Sequence, residues 1–228
     1  MDAVVVKNLT KTYQKDSHCV YALNDVSLSF EAGTFTALTG TSGSGKSTFL
    51  HILAGIDRPT SGEVFIDGMK VNDLSRDQMT VFRRRKIGLI YQFFNLVSVL
   101  TVEENILLPA ALDGKAPDKE RLDLLLKRLH LEERRRHYPS ELSGGQQQRA
   151  AIARAIYISP SIVLADEPTG NLDSANRNDV LEALKTLHRD YHITVILVTH
   201  DPEIAACAER IITLSDGCVI RDKDNRPC

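Results

Sequence analysis

The sequence predicts an α/β fold: a mainly parallel sheet covered by helices on both faces, with an antiparallel β subdomain and an inserted α-helical subdomain. Three observations carry this reading. Continuous apolar runs at Phe35–Leu38, Ile87–Tyr91, Ile162–Ala165 and Thr194–Val198 are bounded by helical patterns, as expected for strands buried on both faces. A glycine-rich stretch, Gly40-Thr41-Ser42-Gly43-Ser44-Gly45-Lys46-Ser47, joins the first of these runs to a helical pattern at Phe49–Ala54. From Phe93 to about Pro139 the pattern is helical throughout and interrupts the alternation of strand and helix.

Taken in order, Val4–Val6 and Val20–Phe30, with Val26, Leu28 and Phe30 alternating, read as antiparallel strands, and Tyr13 falls in the turn between them. After the glycine-rich stretch and its helix, the cluster Asp57–Gly62 marks a turn, and Glu63–Ile66 a strand that runs into the Asp67-Gly68 turn. Ser75 is placed to cap a helix through Phe82. The run Arg83-Arg84-Arg85-Lys86 reads as a solvated face, because no aromatic residue interleaves it. Gln92 follows the strand Ile87–Tyr91 directly. Thr101 with Glu104 has the form of a capping box, and Leu122, Leu125, Leu126 and Leu129 recur at helical spacing. The alternation then resumes with a helix from about Gly145 to Ile158, the strand Ile162–Ala165, a helix Ser174–Tyr191 and the strand Thr194–Val198. A short helix Pro202–Cys207, a strand Arg210–Leu214 and a turn at Asp216-Gly217 follow, and the polar tail Arg221–Cys228 is expected to fray. The chain is read as one domain, 1–228. About 1–92 and 145–228 form the core with the β subdomain, and about 93–144 the helical subdomain.

The bulk numbers narrow the partners. Lys and Arg total 28 against 30 Asp and Glu, a net charge of −2, so no basic field calls for nucleic acid. Cys19, Cys207, Cys218 and Cys228 are scattered without a C-x-x-C pair, which argues against a disulfide framework or a zinc site. His188 and His192 stand four apart but lack any metal-ligand context and are read as solvated or capping residues. The N-terminus is too short and too early-charged for a signal peptide. The longest uncharged apolar run, Ala155–Ala165, is well short of a membrane span.

The glycine-rich stretch fits the phosphate-loop pattern G-x-x-x-x-G-K-[ST] at every fixed position, in the required context between strand and helix. Wrapping a polyphosphate in backbone N–H groups demands close main-chain approach, which Gly40, Gly43 and Gly45 permit, and the cradle runs through Ser42 and Ser44 to Thr48. Lys46 reaches the outer phosphates as a point charge, and the Ser47 hydroxyl is a ligand for Mg²⁺, at a helix start that adds its dipole. The sequence therefore calls for a nucleoside triphosphate with Mg²⁺ as the bound pair. A second motif, Ile162-Val163-Leu164-Ala165-Asp166-Glu167, ends a buried strand in two acids. Asp166 suits a place beside Mg²⁺ at the carboxyl edge of the sheet, and Glu167 suits the polarisation of an attacking water.

A third element, Leu142-Ser143-Gly144-Gly145-Gln146 followed by Gln147, Gln148 and Arg149, opens another helix with two glycines and a capping serine, a further phosphate-binding helix start. This stretch resembles the signature motif of ABC-type ATPases, and the resemblance covers essentially the whole chain in the right order. It implies a P-loop NTPase (RecA-like) core. It also implies that Tyr13 stacks on adenine, that Gln92 joins the core to the helical subdomain at the metal and the reaction centre, and that Asn171-Leu172-Asp173 brings Asp173 to the nucleotide. His200 is implied as the switch histidine that acts with Glu167. The resemblance further implies a head-to-tail homodimer in which Ser143, Gly144, Gly145 and Gln146 of one copy close on ATP held by Lys46 of the other. The stretches Ile90–Leu96, Thr101–Ile106, Tyr138–Leu142, Ala165–Asp173 and Val198–Pro202 are similar to the bacterial ATPases of lipoprotein release, macrolide efflux and antimicrobial-peptide detoxification. The chain ends soon after the last strands, without the C-terminal domain of many sugar-import ATPases, as expected for that group. The implied partner is a separate membrane permease, with this subunit peripheral on the cytoplasmic face of the cell membrane and Phe93, Phe94, Leu96, Val97 and Leu100 near its docking groove. The same ATP cycle would also serve a membrane signalling or cell-wall complex that moves no substrate.

Overall fold

The computed structural model describes residues 1–15 and 18–226. Two long strands, β1 (Asp2–Lys15) and β2 (His18–Glu31), pair antiparallel, and β4 (Ser61–Ile66) and β5 (Met69–Lys70) extend them into a four-stranded sheet of order β2-β1-β4-β5. The second sheet has six strands in the order β10-β9-β3-β8-β7-β6. These are β3 (Phe35–Thr39), β6 (Ile87–Tyr91), β7 (Ile162–Asp166), β8 (Thr194–Val198), β9 (Arg210–Ser215) and β10 (Cys218–Asp224). All are parallel except β10, which returns antiparallel along β9.

The period-two alternation of the central strands separates two cores. Ile162 and Leu164 of β7, with Ile196 and Val198 of β8, pack with Phe49, Leu50 and Leu53 of α1 (Lys46–Leu53) and with the antiparallel sheet. Val163, Ala165, Val195 and Leu197 face the other way, onto α5 (Gly144–Tyr157) and α6 (Ser174–Tyr191). Between β6 and α5 lie α3 (Val102–Leu112), α4 (Lys119–Arg128) and two one-turn 3₁₀ segments. At 10 residues α4 is too short to be stable alone in water. Leu122, Leu125, Leu126 and Leu129, all fully buried, fix it in the second core at roughly 1.5–3 kcal/mol each. Asn105, also fully buried, holds the 97–101 loop through its side chain: Oδ1 accepts from the Val97 N–H, and Nδ2 donates to the Val97, Leu100 and Thr101 carbonyls.

The structure corrects the sequence reading at three places. Tyr13 lies inside β1, paired with Val20 of β2, not in a turn; bulges and the left-handed Asn8 and Asp25 hide the strand's alternation. The tail Arg221–Asp224 belongs to β10 and pairs with Thr213–Arg210, held by the Arg210–Asp222 ion pair at 2.6 Å. The predicted helix after Ser75 is α2 (Arg76–Lys86), with the capping box Ser75–Gln78 in place, and it absorbs the basic run as its last turn. Those four cations are partnered rather than merely solvated. Arg83 donates to the Gly55 carbonyl and Lys86 bonds Asp67, while Arg84 and Arg85 converge on Asp113 at the C-terminus of α3, with N–O distances of 2.8 Å each. Lys115 adds a third cation at 3.2 Å.

The Asp113 side chain is only 3% exposed, and hydrogen bonds from Arg85 and then Arg84, acting against burial, hold its pKa down to about 2. A depressed carboxylate contributes stability that is present above its ordinary value of 3.8 and is lost as the pH falls towards about 2. Asp113→Asn is therefore expected to lower the melting temperature at neutral pH, with the gap from wild type closing across that acid interval. A gap unchanged down to the acid end would show that the ion pairs are not its source.

Candidate functional site

The register of the parallel sheet lines up the strand ends. Leu38 pairs with Val198, Val198 with Asp166, and Asp166 with Tyr91, so one row crosses β3, β8, β7 and β6. Just beyond that row at the carboxyl edge lie the phosphate loop, Thr199-His200, Glu167 and Gln92. A cavity of about 550 Å³ opens there, lined by the loop residues Gly40–Gly43 and Gly45–Thr48, by Glu167 and His200, and by Ala22 of β2, which no sequence motif marks. A larger cavity of about 800 Å³ lies between the Asp57–Gly62 turn and α2, and its lining lacks the loop and both strand-end acids.

The loop is shaped by its own surroundings as much as by a ligand. Gly45 is the N-cap of α1 at φ +102, and a Cβ there would collide with the Ala22 carbonyl oxygen. Lys46 donates from Nζ to the Gly40 and Thr41 carbonyls at 2.9 and 2.7 Å and to the Ser44 hydroxyl at 3.3 Å. Burial lowers its pKa, while Glu167 and Asp166 oppose that shift. Ser47 Oγ lies 3.4 Å from Asp166 Oδ1, and burial raises the pKa of that carboxyl above the ordinary value.

Glu167 adopts a left-handed backbone, φ +46, with its N–H on the Val198 carbonyl at 3.0 Å. His200 Nδ1 lies 2.9 Å from Glu167 Oε1. Gln92 Nε2 donates to Asn171 Oδ1 at 3.1 Å, and Asn171 Nδ2 donates back to the Gln92 carbonyl at 3.2 Å. The structure therefore gathers Lys46, Ser47, Asp166, Glu167 and His200 at one place and sets Gln92 beside Asn171.

The remaining candidates lie apart from the cavity. Ser143 caps α5 in a capping box with Gln146. Gly145 in the first turn sits so close to Asn176 of α6 that a Cβ would strike its side-chain oxygen, a packing reason for that glycine that the sequence did not reveal. Asp173 caps α6, accepting from the Asn176 N–H at 2.9 Å and from its Nδ2 at 2.8 Å. Tyr13 stands on β1 with its hydroxyl 2.6 Å from Asp57. Among the described residues that line the loop cavity, none comes from Ser143–Gln146. His192 is the left-handed C-cap of α6, and His188 Nδ1 bonds the Ile193 carbonyl, so the histidine pair is structural.

A family model described as ABC transporter matches residues 23–170, a stretch holding the phosphate loop, the signature segment and both strand-end acids. The chain belongs to the ABC transporter family. It is an ATP-binding cassette of that family, an ATPase. The ABC transporter ATP-binding protein MJ0796 of Methanocaldococcus jannaschii is 47% identical over 98% of this chain and 97% of its own. YxdL of Bacillus subtilis, an ABC transporter ATP-binding protein, is 47% identical over 93% of this chain and 83% of its own. The macrolide export ATP-binding/permease protein MacB of Mannheimia succiniciproducens is 45% identical across 100% of this cassette, which spans 36% of that protein. A solved dimeric, post-hydrolysis state of MJ0796 bound to ADP and Pi superposes with a TM-score of 0.89 at 45% identity, covering 99% of this cassette and 100% of that chain.

The loop geometry gives a direct expectation. Gly45→Ala places a side chain on a left-handed backbone against the Ala22 carbonyl and should cost about 1–3 kcal/mol of unfolding free energy in a denaturant titration. A loss below about 0.5 kcal/mol, the usual scatter of neutral surface changes, would contradict the constraint.

Proposed function

We propose that this cassette hydrolyses ATP as one half of a head-to-tail homodimer and powers a separate membrane permease of the efflux or release type. The observation that carries the reading is the convergence of Lys46, Ser47, Glu167 and His200 on one cavity, with Asp166 3.4 Å from Ser47 and the capped serine-glycine start of α5 outside the cavity. A second copy then supplies what one chain lacks: Ser143, Gly144, Gly145 and Gln146 of one subunit close on the triphosphate held by Lys46 of the other. The dimeric structures of MJ0796 support this arrangement.

The residues present fit Mg²⁺. Ser47 and Asp166 offer hard oxygen donors 3.4 Å apart, and the buried Asp166 carboxylate gains from a nearby positive charge. Gln92 is the further ligand in this reading. A Mg²⁺ held there would neutralise charge on the phosphates. Glu167 accepts the proton of the attacking water, and His200, bonded to it, holds the carboxylate, the water and the γ-phosphate in line. Tyr13 takes the base, the loop from Gly40 through Ser42, Gly43, Ser44 and Gly45 to Thr48 takes the phosphates, and Asp173 faces the nucleotide across the dimer.

Among the described residues no helix is long and apolar enough to cross a membrane, so the permease supplies the span. The similarity to MacB, an ATP-binding/permease protein, supports that pairing and a place on the cytoplasmic face of the membrane. The helical region, taken as about 93–144, presents the docking surface. Phe93 is 70% exposed and Val97 is exposed, while Phe94 and Leu96 are packed against the core. Val99, 77% exposed, joins that surface although the sequence did not single it out. ATP closure swings the helical region, and Gln92 passes the motion on.

Glu167→Gln is expected to abolish steady turnover while ATP binding persists and an ATP-bound dimer accumulates on a sizing column; Lys46→Ala should instead lose ATP affinity by calorimetry. Full turnover in the first variant, or undiminished affinity in the second, contradicts the assigned roles. Because the Asp166 pKa is raised, its carboxylate protonates at a higher pH than usual, and a protonated ligand holds Mg²⁺ poorly. The Mg²⁺ concentration for half-maximal turnover should rise as the pH falls, the rise setting in above the ordinary aspartate value of 3.8. A flat profile would remove Asp166 from the metal site.

A further inference from the structure

We propose that Lys11 and Asp57 are positioning residues for Tyr13, fixing its ring as a one-faced platform for the adenine of ATP. This rests on the reading of Tyr13 as the base-stacking residue and assigns the groups that make it selective and rigid.

Tyr13 and Lys11 are two residues apart on β1. The Lys11 ammonium lies 4.7 Å from the centroid of the Tyr13 ring, a cation over one π-face. The same ammonium bonds Asp57 Oδ1 at 2.7 Å and the Arg58 carbonyl at 2.8 Å. The other carboxylate oxygen of Asp57 accepts from the Tyr13 hydroxyl at 2.6 Å, so the acid grips the ring's tip and the cation beneath it. Burial pushes the Asp57 pKa up, but hydrogen bonds from Lys11, Tyr13 and the Arg58 N–H outweigh it and keep the carboxylate charged. The Lys11 side chain is 13% exposed, yet Tyr13 remains 42% exposed, so what is open on the ring is away from the lysine.

Two consequences follow. With one face taken by Lys11, a base can stack only on the other. Asp57, which holds the Tyr13 hydroxyl, also donates its N–H to the His51 carbonyl of α1 at 3.2 Å, which ties the ring to the helix that follows the phosphate loop. The spacing between base platform and phosphate cradle is thus set before a nucleotide arrives, which removes the ordering cost from binding. A plain staple between β1 and the turn after α1 would use the same ion pair. It would weaken every ligand through loss of the fold, whereas a platform acts only on ligands that carry a base.

Calorimetry of the intact subunit with Mg-ATP and with inorganic tripolyphosphate separates the two. Lys11→Met and Asp57→Asn, both near-isosteric, are expected to weaken Mg-ATP by about two- to fivefold and to leave tripolyphosphate unchanged. Tyr13→Ala should weaken Mg-ATP by about tenfold with the same indifference of tripolyphosphate. Lys11→Arg, which keeps a cation, should restore most of the affinity lost in Lys11→Met. If Lys11→Met and Asp57→Asn leave ATP affinity intact while Tyr13→Ala lowers it, the positioning role is wrong and base stacking stands. Equal losses for ATP and tripolyphosphate mean a staple only, and an unaffected Tyr13→Ala removes the base-stacking reading itself.

Discussion

The arrangement depends on the register of four parallel strands. Leu38, Val198, Asp166 and Tyr91 lie in one row across the sheet, and the groups with chemistry to perform sit in the few residues after it. Apolar strands buried on both faces enforce that row, because a slip of one residue would turn Leu164 and Ile196 out of one core and Val163 and Val195 out of the other. The constraint reaches the site through Asp166. Being in phase with Ile162 and Leu164, it points towards α1, where Ser47 is found.

A second set of contacts ties the start of α5 to the segment after β6. Gln148, fully buried, donates from Nε2 to the Tyr91 carbonyl at 3.2 Å. One turn and a half further on, Arg154 donates to the Asn95 and Phe94 carbonyls at 2.6 and 3.2 Å. These are long side chains on backbone acceptors, and the interior position of Arg154, whose pKa burial lowers, strengthens its bonds. The residues from Tyr91 to Asn95 are therefore carried by α5, the helix whose first turn holds Ser143 and Gly145. Gln92 adds a bond across to Asn171, close to the cap of α6. A movement of the signature end of α5 cannot leave the Gln92 segment or exposed Phe93 behind without breaking these bonds.

Much of this was legible in the sequence because the signals are local. The bounds of α6 are those predicted, Ser174–Tyr191, and the cap at Ser75 and the box at Thr101–Glu104 follow from local residue types. What escaped was set by partners distant along the chain. Arg84 and Arg85 look solvated until Asp113, nearly thirty residues on, is folded against them. The polar strand β10 exists because β9 offers an edge and Arg210 pairs with Asp222. Tyr13 was misplaced because bulges break the alternation of β1, and Gly145 carries a packing duty visible only once Asn176 lies beside it.

The adjacent acids at the end of β7 show how a local departure from regular structure serves the site. Successive residues of a strand point to opposite faces, so an extended Glu167 would follow Val163 and Ala165 towards α5 and α6 while Asp166 faces α1. Instead the chain turns left-handed at Glu167, φ +46, at a cost of roughly 1–2 kcal/mol for a residue with a Cβ. The bonds from its N–H to the Val198 carbonyl and from the Gly170 N–H to its own carbonyl, both 3.0 Å, hold that turn in place. The result is that Glu167 lines the loop cavity with His200, while Asp166 stays against Ser47 of the same lining. A regular strand would have delivered one and hidden the other. The kink is the backbone condition for having two acids adjacent in sequence, one against Ser47 and the other against His200.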